Sequence, residues 1–184
     1  MDNLTLSDYI NLIIERKGGN PINYHNLMDA IAYHETGPRS RMNPSTVQKG
    51  GGPGRGLFQF EIGDNEGGNI AVNRTYNFHK ANNIPVPEWL HSIWENKKSV
   101  DFSLLPADQQ KILFLGNYMQ HPKANLGDVM SGKESYKDFW LNYHWAGDSK
   151  QREGKIEAWK ESMTERNLDA AQTLPPWMSN TVPE

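Results

Sequence analysis

The chain has 184 residues, 36% of them apolar and 22% charged, with a net charge of −3. That length suits one domain with a sizeable core, and the slightly acidic balance excludes the broad basic field of a nucleic-acid binder. With no cysteine there is neither a disulfide framework nor a thiolate zinc site.

The N-terminal stretch "MDNLTLSDYINLIIERKGG" is acidic at its start and has no long apolar run, so it does not read as a signal peptide. No segment approaches the roughly 18 apolar residues of a membrane span. Apolar spacing at Leu6, Ile10, Ile13 and Ile14 predicts a first helix, capped at Thr5 or Ser7 and stopped by Gly18 and Gly19. "YHNLMDAIAYHETGP" predicts a second, ended by Gly37 and Pro38. Residues 38–55 are rich in Gly, Pro, Ser and Asn and read as loop or short strands. "GRGLFQFEIG" is too short to assign by period. Helices follow in "GNIAVNRTYNFHKANN", "PEWLHSIWENK" and "LPADQQKILFLGNYMQ", the last with Ile112, Leu113, Leu115 and Met119 at helical spacing. "ESYKDFWLNYHWAG" is aromatic and reads as buried, and "SKQREGKIEAWKESMTERN" as an amphipathic surface helix. The expected organisation is one domain over 1–165 and a Pro-rich tail over 166–184.

Glu35 is the informative residue. Leu27 and Ile31 lie four apart on the apolar stripe of the second helix, flanked by Met28 and Ala32, and the next step of four is Glu35. A carboxyl group that ends an apolar face, in a last turn where carbonyl dipoles point at it, is favoured in its protonated form, as a general acid requires. The plainer alternative is a helix-end Glu paired with Arg39 or Arg41. "HETG" is not a zincin motif, because Pro38 stands where the second histidine is needed. His25, His34, His79, His91, His121 and His144 show no metal-ligand spacing.

The stretch "GGGPGRGLFQFE" is not a phosphate loop either, since Gly54-Arg55-Gly56-Leu57 supplies neither the lysine nor the hydroxyl. From Thr36 to Phe60 there is no Asp or Glu, while Arg39, Arg41, Lys49 and Arg55 give a local patch of positive charge. Such a patch suits an anionic partner, and an ordinary solvated loop has the same composition.

Three segments in order resemble the lysozyme-like lytic transglycosylases. "AIAYHETG" resembles the end of that family's catalytic helix. "GRGLFQF" resembles its Gly-Leu-Met-Gln segment, with Phe58 where the family has Met and Gln59 placed 24 residues after Glu35. "NYHWAG" resembles its third motif, Tyr-Asn-Ala-Gly; alignment on Ala146-Gly147 puts His144 and Trp145 where Tyr and Asn stand, so either Tyr143 or His144 takes the ring's role. The resemblance covers about residues 22–160.

It implies a mainly α (α+β) lysozyme-like fold with a catalytic cleft and a small loop and short-strand region. It implies Glu35 as the catalytic acid, Gln59 facing it, glycines such as Gly56 that let the backbone approach a sugar, and Phe58, Tyr118, Tyr143 and His144 as substrate contacts, with Asn117 a weaker candidate. The implied substrate is the peptidoglycan glycan strand, cut at the MurNAc-β-1,4-GlcNAc bond to leave a 1,6-anhydro end, with no metal or cofactor. A lysozyme-type hydrolase would need a second carboxylate, for which Glu61, Asp64 and Glu66 are the candidates. A catalytically dead wall-binding or structural virion protein is the third reading. Without a signal peptide, the expected setting is a bacteriophage virion, with other virion proteins as partners, or a host cytoplasm from which a holin releases the enzyme to the wall.

Overall fold

The computed structural model describes residues 4–40, 42–96, 99–145 and 147–173, with side chains up to residue 167. The first helix, α1 (Leu6–Lys17), begins at Thr5, whose hydroxyl accepts the Asp8 N–H while the Asp8 carboxylate accepts the Thr5 N–H. This reciprocal pair satisfies two donors that a helix start otherwise leaves open, which settles the cap on Thr5. Gly18, at φ 75°, ends the helix and returns its N–H to the Ile14 carbonyl.

Pro21 starts α2 (Pro21–Ser40), where its missing N–H costs nothing. Tyr24, Leu27, Met28, Ile31 and Ala32 are buried along one face. The helical path breaks at Gly37, φ 71° and ψ 168°, a conformation in the left-handed half of the map that a side chain resists. Thr36 secures the turn before the break: its hydroxyl donates to the Ala32 carbonyl and accepts the Met42 N–H.

The segment too short to assign by period is a hairpin of β1 (Gly54–Arg55) and β2 (Phe60–Glu61), antiparallel, with Gly54 opposite Glu61 and Arg55 opposite Phe60. Val47 adds a single bridge to Arg55. The helices α3 (Gly67–Ala81), α4 (Glu88–Glu95) and α5 (Ala107–Met119) follow. Every residue of α5 from Ile112 to Tyr118 is buried. A helix apolar on all sides is a central one, and α1 and α3 pack against it. The short α6 (Leu126–Met130), unpredicted, and α7 (Tyr136–Phe139) lead into a π-helical segment, Trp140–His144, closed by the Trp145 N–H on the Trp140 carbonyl.

Finally α8 (Arg152–Thr173) packs along α2, bringing Trp159 into the core. It runs past the boundary expected at 165, so the tail predicted from 166 is helical as far as Thr173; residues 174–184 lie outside the described ones. The fold is mainly α, with a single two-stranded sheet among the described residues. No helix among them is long and apolar enough to cross a membrane.

Gly116 shows how tightly the central helix is seated. A Cβ there would strike the Thr75 hydroxyl and methyl of α3 and the Tyr9 hydroxyl of α1. The overpacking should make Gly116→Ala less stable by about 1–3 kcal/mol, despite alanine's better helix propensity. Urea denaturation measures it.

Candidate functional site

A cleft of about 640 Å³ opens between the end of α2, the hairpin, α3, α5, the π segment and the start of α8. Glu35 lines it, with its side chain 19% exposed. The indole Nε1–H of Trp140 donates to Glu35 Oε1 at 2.5 Å. His144 Nε2 lies 3.7 Å from the same oxygen. One π-helical segment thus carries both the indole bonded to this oxygen and the imidazole beside it. Glu35 forms no ion pair with Arg39, which is exposed; Arg41 lies outside the described residues.

Trp140 is itself buried and supported from behind. His34 meets its ring edge-on at 4.4 Å between centroids, and Trp159 lies 5.3 Å away. The indole cannot turn without disturbing α2 and α8 together, so Glu35 receives a donor of fixed direction.

The His144 tautomer follows from its neighbours. Nε2 is 2.8 Å from the Phe58 carbonyl, which can only accept, so Nε2 carries a proton. In the neutral ring Nδ1 is then the acceptor for the Tyr118 hydroxyl at 2.7 Å. Burial, reinforced by the Glu35 charge and opposed by Arg74, pushes the Tyr118 phenol well above its usual value, so it remains a donor. His144 and Tyr143 both line the cleft, but they do different things there. His144 reaches Glu35, whereas the Tyr143 hydroxyl bonds to Glu134. Ala146 of the third motif lies outside the described residues.

Gln59 lines the cleft from the hairpin turn. It has φ 48°, and its amide donates to the Gly56 carbonyl at 2.8 Å and, more weakly, to Thr46 at 3.4 Å. Its Nε2 therefore holds the turn, and its Oε1 is the end that accepts no protein bond among the described residues. Phe58 and Gly56 depart from the expected roles. Phe58 is fully buried, stacked on Phe114 at 4.2 Å; only its carbonyl serves the site, through His144. Gly56, at φ 73°, permits close approach to α5 and not to a ligand: a Cβ would strike the Gln110 amide and come within 3.0 Å of Phe102 Cβ. Of the glycines in this loop, Gly54 lines the cleft.

Gln110, absent from the sequence reading, holds this loop from below. Its Oε1 accepts the Leu57 N–H at 2.7 Å, and its amide donates to the Pro44 and Leu105 carbonyls at 2.9 and 2.8 Å. The side chain is wholly buried. Arg55 is also spent internally, on the Gly52 and Gly54 carbonyls and on Asp101 at 3.5 Å, which weakens the basic patch read from the sequence.

Of the candidate second carboxylates, Glu61 and Glu66 line the cleft and are exposed. Asp64 does not line it. It faces a separate hollow with Asn69 and Trp94, and accepts a bond from Ser99. The cleft also takes in Asn117, Trp145, and two cations the sequence did not single out, Arg74 and Lys155. A lone arginine in a helix otherwise reading as an ordinary amphipathic one carries no signal that it faces a cleft.

Two outcomes follow from these supports. Gln110→Leu leaves a buried N–H and two carbonyls without their partner, and should lower stability by about 2–4 kcal/mol, read by denaturant titration. His34 is held down to about 4 from its usual 6.5, first by burial and then by the charges of Lys155 and His144. Between those two values the unfolded chain binds the proton that the folded one refuses, so stability falls as the pH drops from 6.5 toward 4. His34 should account for up to about 3 kcal/mol of that loss, and His34→Asn should flatten the slope of stability against pH across this window and leave the slope above it unchanged.

No family model, no curated protein and no solved structure matches the chain, so the roles of these residues rest on their own geometry.

Proposed function

We propose that the chain is a lytic transglycosylase of peptidoglycan with a lysozyme-like fold, cutting the MurNAc-β-1,4-GlcNAc bond through Glu35. The observation that carries this reading is the half-buried Glu35 carboxyl group lining an open cleft, oriented by the Trp140 N–H, with Gln59 lining the same cleft. Glu35 protonates the glycosidic oxygen as its bond to C1 breaks. The N-acetyl carbonyl oxygen of the same sugar bonds to C1 and takes up the developing positive charge. Glu35, now a carboxylate, accepts the proton of the sugar's own 6-hydroxyl as that oxygen displaces the acetamido oxygen from C1. No water is consumed, and the product ends in a 1,6-anhydro sugar. The Trp140 N–H, directed at Oε1, holds the carboxylate in place between the two proton transfers, with the His144 ring 3.7 Å from the same oxygen. Gln59 Oε1 is free to accept from a sugar hydroxyl or acetamido N–H. The setting proposed is a bacteriophage virion or a holin-released lysis enzyme.

Hydrolysis is the second reading, favoured by Glu61 and Glu66 on the same cleft wall, where either carboxylate would activate water. Mass spectrometry of digested murein separates the two. Transglycosylation yields muropeptides about 18 Da lighter than the hydrolysed ones, with no end reducible by borohydride. Glu35→Gln can still accept the Trp140 N–H through its amide oxygen, so it should remain folded and lose roughly 10²-fold or more in turnover. Glu61→Ala and Glu66→Ala should keep substantial activity. Dominant reducing-end products, with one of these two as damaged as Glu35→Gln, move the protein to the hydrolases; a murein zymogram without any clearing removes both enzymes.

A further inference from the structure

Arg74 stands on α3 with its guanidinium in the cleft wall. Its Nη1 donates to Asn117 Oδ1 at 2.9 Å, across the packed α3–α5 pair. Asn117 is buried and neutral, so it aims the guanidinium without cancelling its charge. Among the described residues Arg74 has no carboxylate at salt-bridge distance, although Glu61 and Glu66 line the same cleft. Those two are exposed, and water screens them. Burial lowers the guanidinium's affinity for its proton, with the neighbouring Tyr118 opposing the change. Arginine does not shed its charge at any working pH. A half-buried cation with one neutral partner and most of its five donors unused is built to receive an anion. Lys155, the other cation of the wall, sits with Nζ 5.8 Å over the Trp145 ring and is engaged there.

We infer that Arg74 is a specificity-determining residue of this cleft, taking a carboxylate carried on the muramic acid side chain or on its peptide stem. The inference rests on the murein-cleaving reading of the same cleft. On this view the glycan is held by two different chemistries: neutral sugar groups by Gln59 and its surroundings, and the acidic substituent by the fork of Arg74. A glycan of N-acetylglucosamine alone presents nothing to Arg74 and leaves the cation half-solvated, and the enzyme discriminates against it by that lost contact.

The test is equilibrium binding by the full chain carrying Glu35→Gln, so that no bond is cut, with and without Arg74→Ala. Three glycans serve as probes: a neutral N-acetylglucosamine oligomer, murein glycan stripped of peptides so that its lactyl carboxylates are free, and peptide-bearing glycan, whose carboxylates lie on the stem. Arg74→Ala should weaken binding of at least one acidic glycan by about tenfold or more and leave the neutral oligomer unchanged. The glycan that loses affinity identifies the carboxylate. Arg74→Lys, which keeps the charge and loses the fork, should recover part of the loss. Where Arg74→Ala does not fold, Arg74→Gln takes its place in the same comparison. An equal loss on the neutral oligomer, or no loss on either acidic glycan, overturns the inference and leaves the murein reading standing. A Glu35→Gln chain that retains none of the three glycans overturns both.

Discussion

The hydrogen bond from the Trp140 indole to Glu35 ties the site to the core. It satisfies a buried donor, and it fixes a carboxyl group that would otherwise swing at the end of a helix. Trp140 and His144 stand at the two ends of the π segment after α7, the indole bonded to Glu35 Oε1 and the imidazole 3.7 Å from the same oxygen. Such π segments occur frequently at functional sites. The ring's position in turn needs His34 on α2 and Trp159 on α8. The long C-terminal helix, charged and outwardly plain, is therefore a structural part of the site.

The opposite wall is organised by a second buried polar group. Gln110 spends its amide on three backbone partners drawn from the loop before the hairpin, the hairpin turn and the segment before α5. A glycine-rich stretch has the largest conformational entropy to lose on folding. The chain offsets it with directed bonds from a rigid helix, and adds Arg55 on the Gly52 and Gly54 carbonyls and Gln59 on Gly56. The glycines thus serve the packing of the loop against α5, and one of them, Gly54, serves the cleft surface.

His144 joins the two walls. It accepts from Tyr118 on α5, donates to the carbonyl of Phe58 in the hairpin turn, and faces Glu35 on α2. Moving any of the three elements disturbs the others through this ring. The charges of the cleft are arranged around the same centre. A half-buried Glu35 takes one fixed N–H donor, while Glu61 and Glu66 stand in solvent and Arg74 is pinned by a neutral amide. Solvated carboxylates and a half-buried cation differ in how strongly each feels a ligand's charge.

The sequence by itself determined the longer helices and the place of Glu35 on one of them. A period of about four along Leu27, Ile31 and Glu35 is a local property, readable because the helix turns at a constant angle, and Gly37 with Pro38 marks its end. It also brought Gln59 and His144 forward as candidates, and both line the cleft with Glu35. Only the tertiary structure decided their partners. Trp140 is 105 residues from Glu35, and nothing in "KDFWLNYHW" distinguishes the indole that donates to it from the one that lines the cleft. Phe58 was read outward and points inward, because in a turn between two-residue strands no alternation runs long enough to reveal the buried face. Asp64 was placed in the cleft and faces elsewhere, because a few residues of loop reverse the chain's direction. Gln110 and Arg74 were silent for the same reason: a polar residue on a helix is read as solvated until the helix packed against it is known, and that neighbour is fixed by contacts distant in the chain.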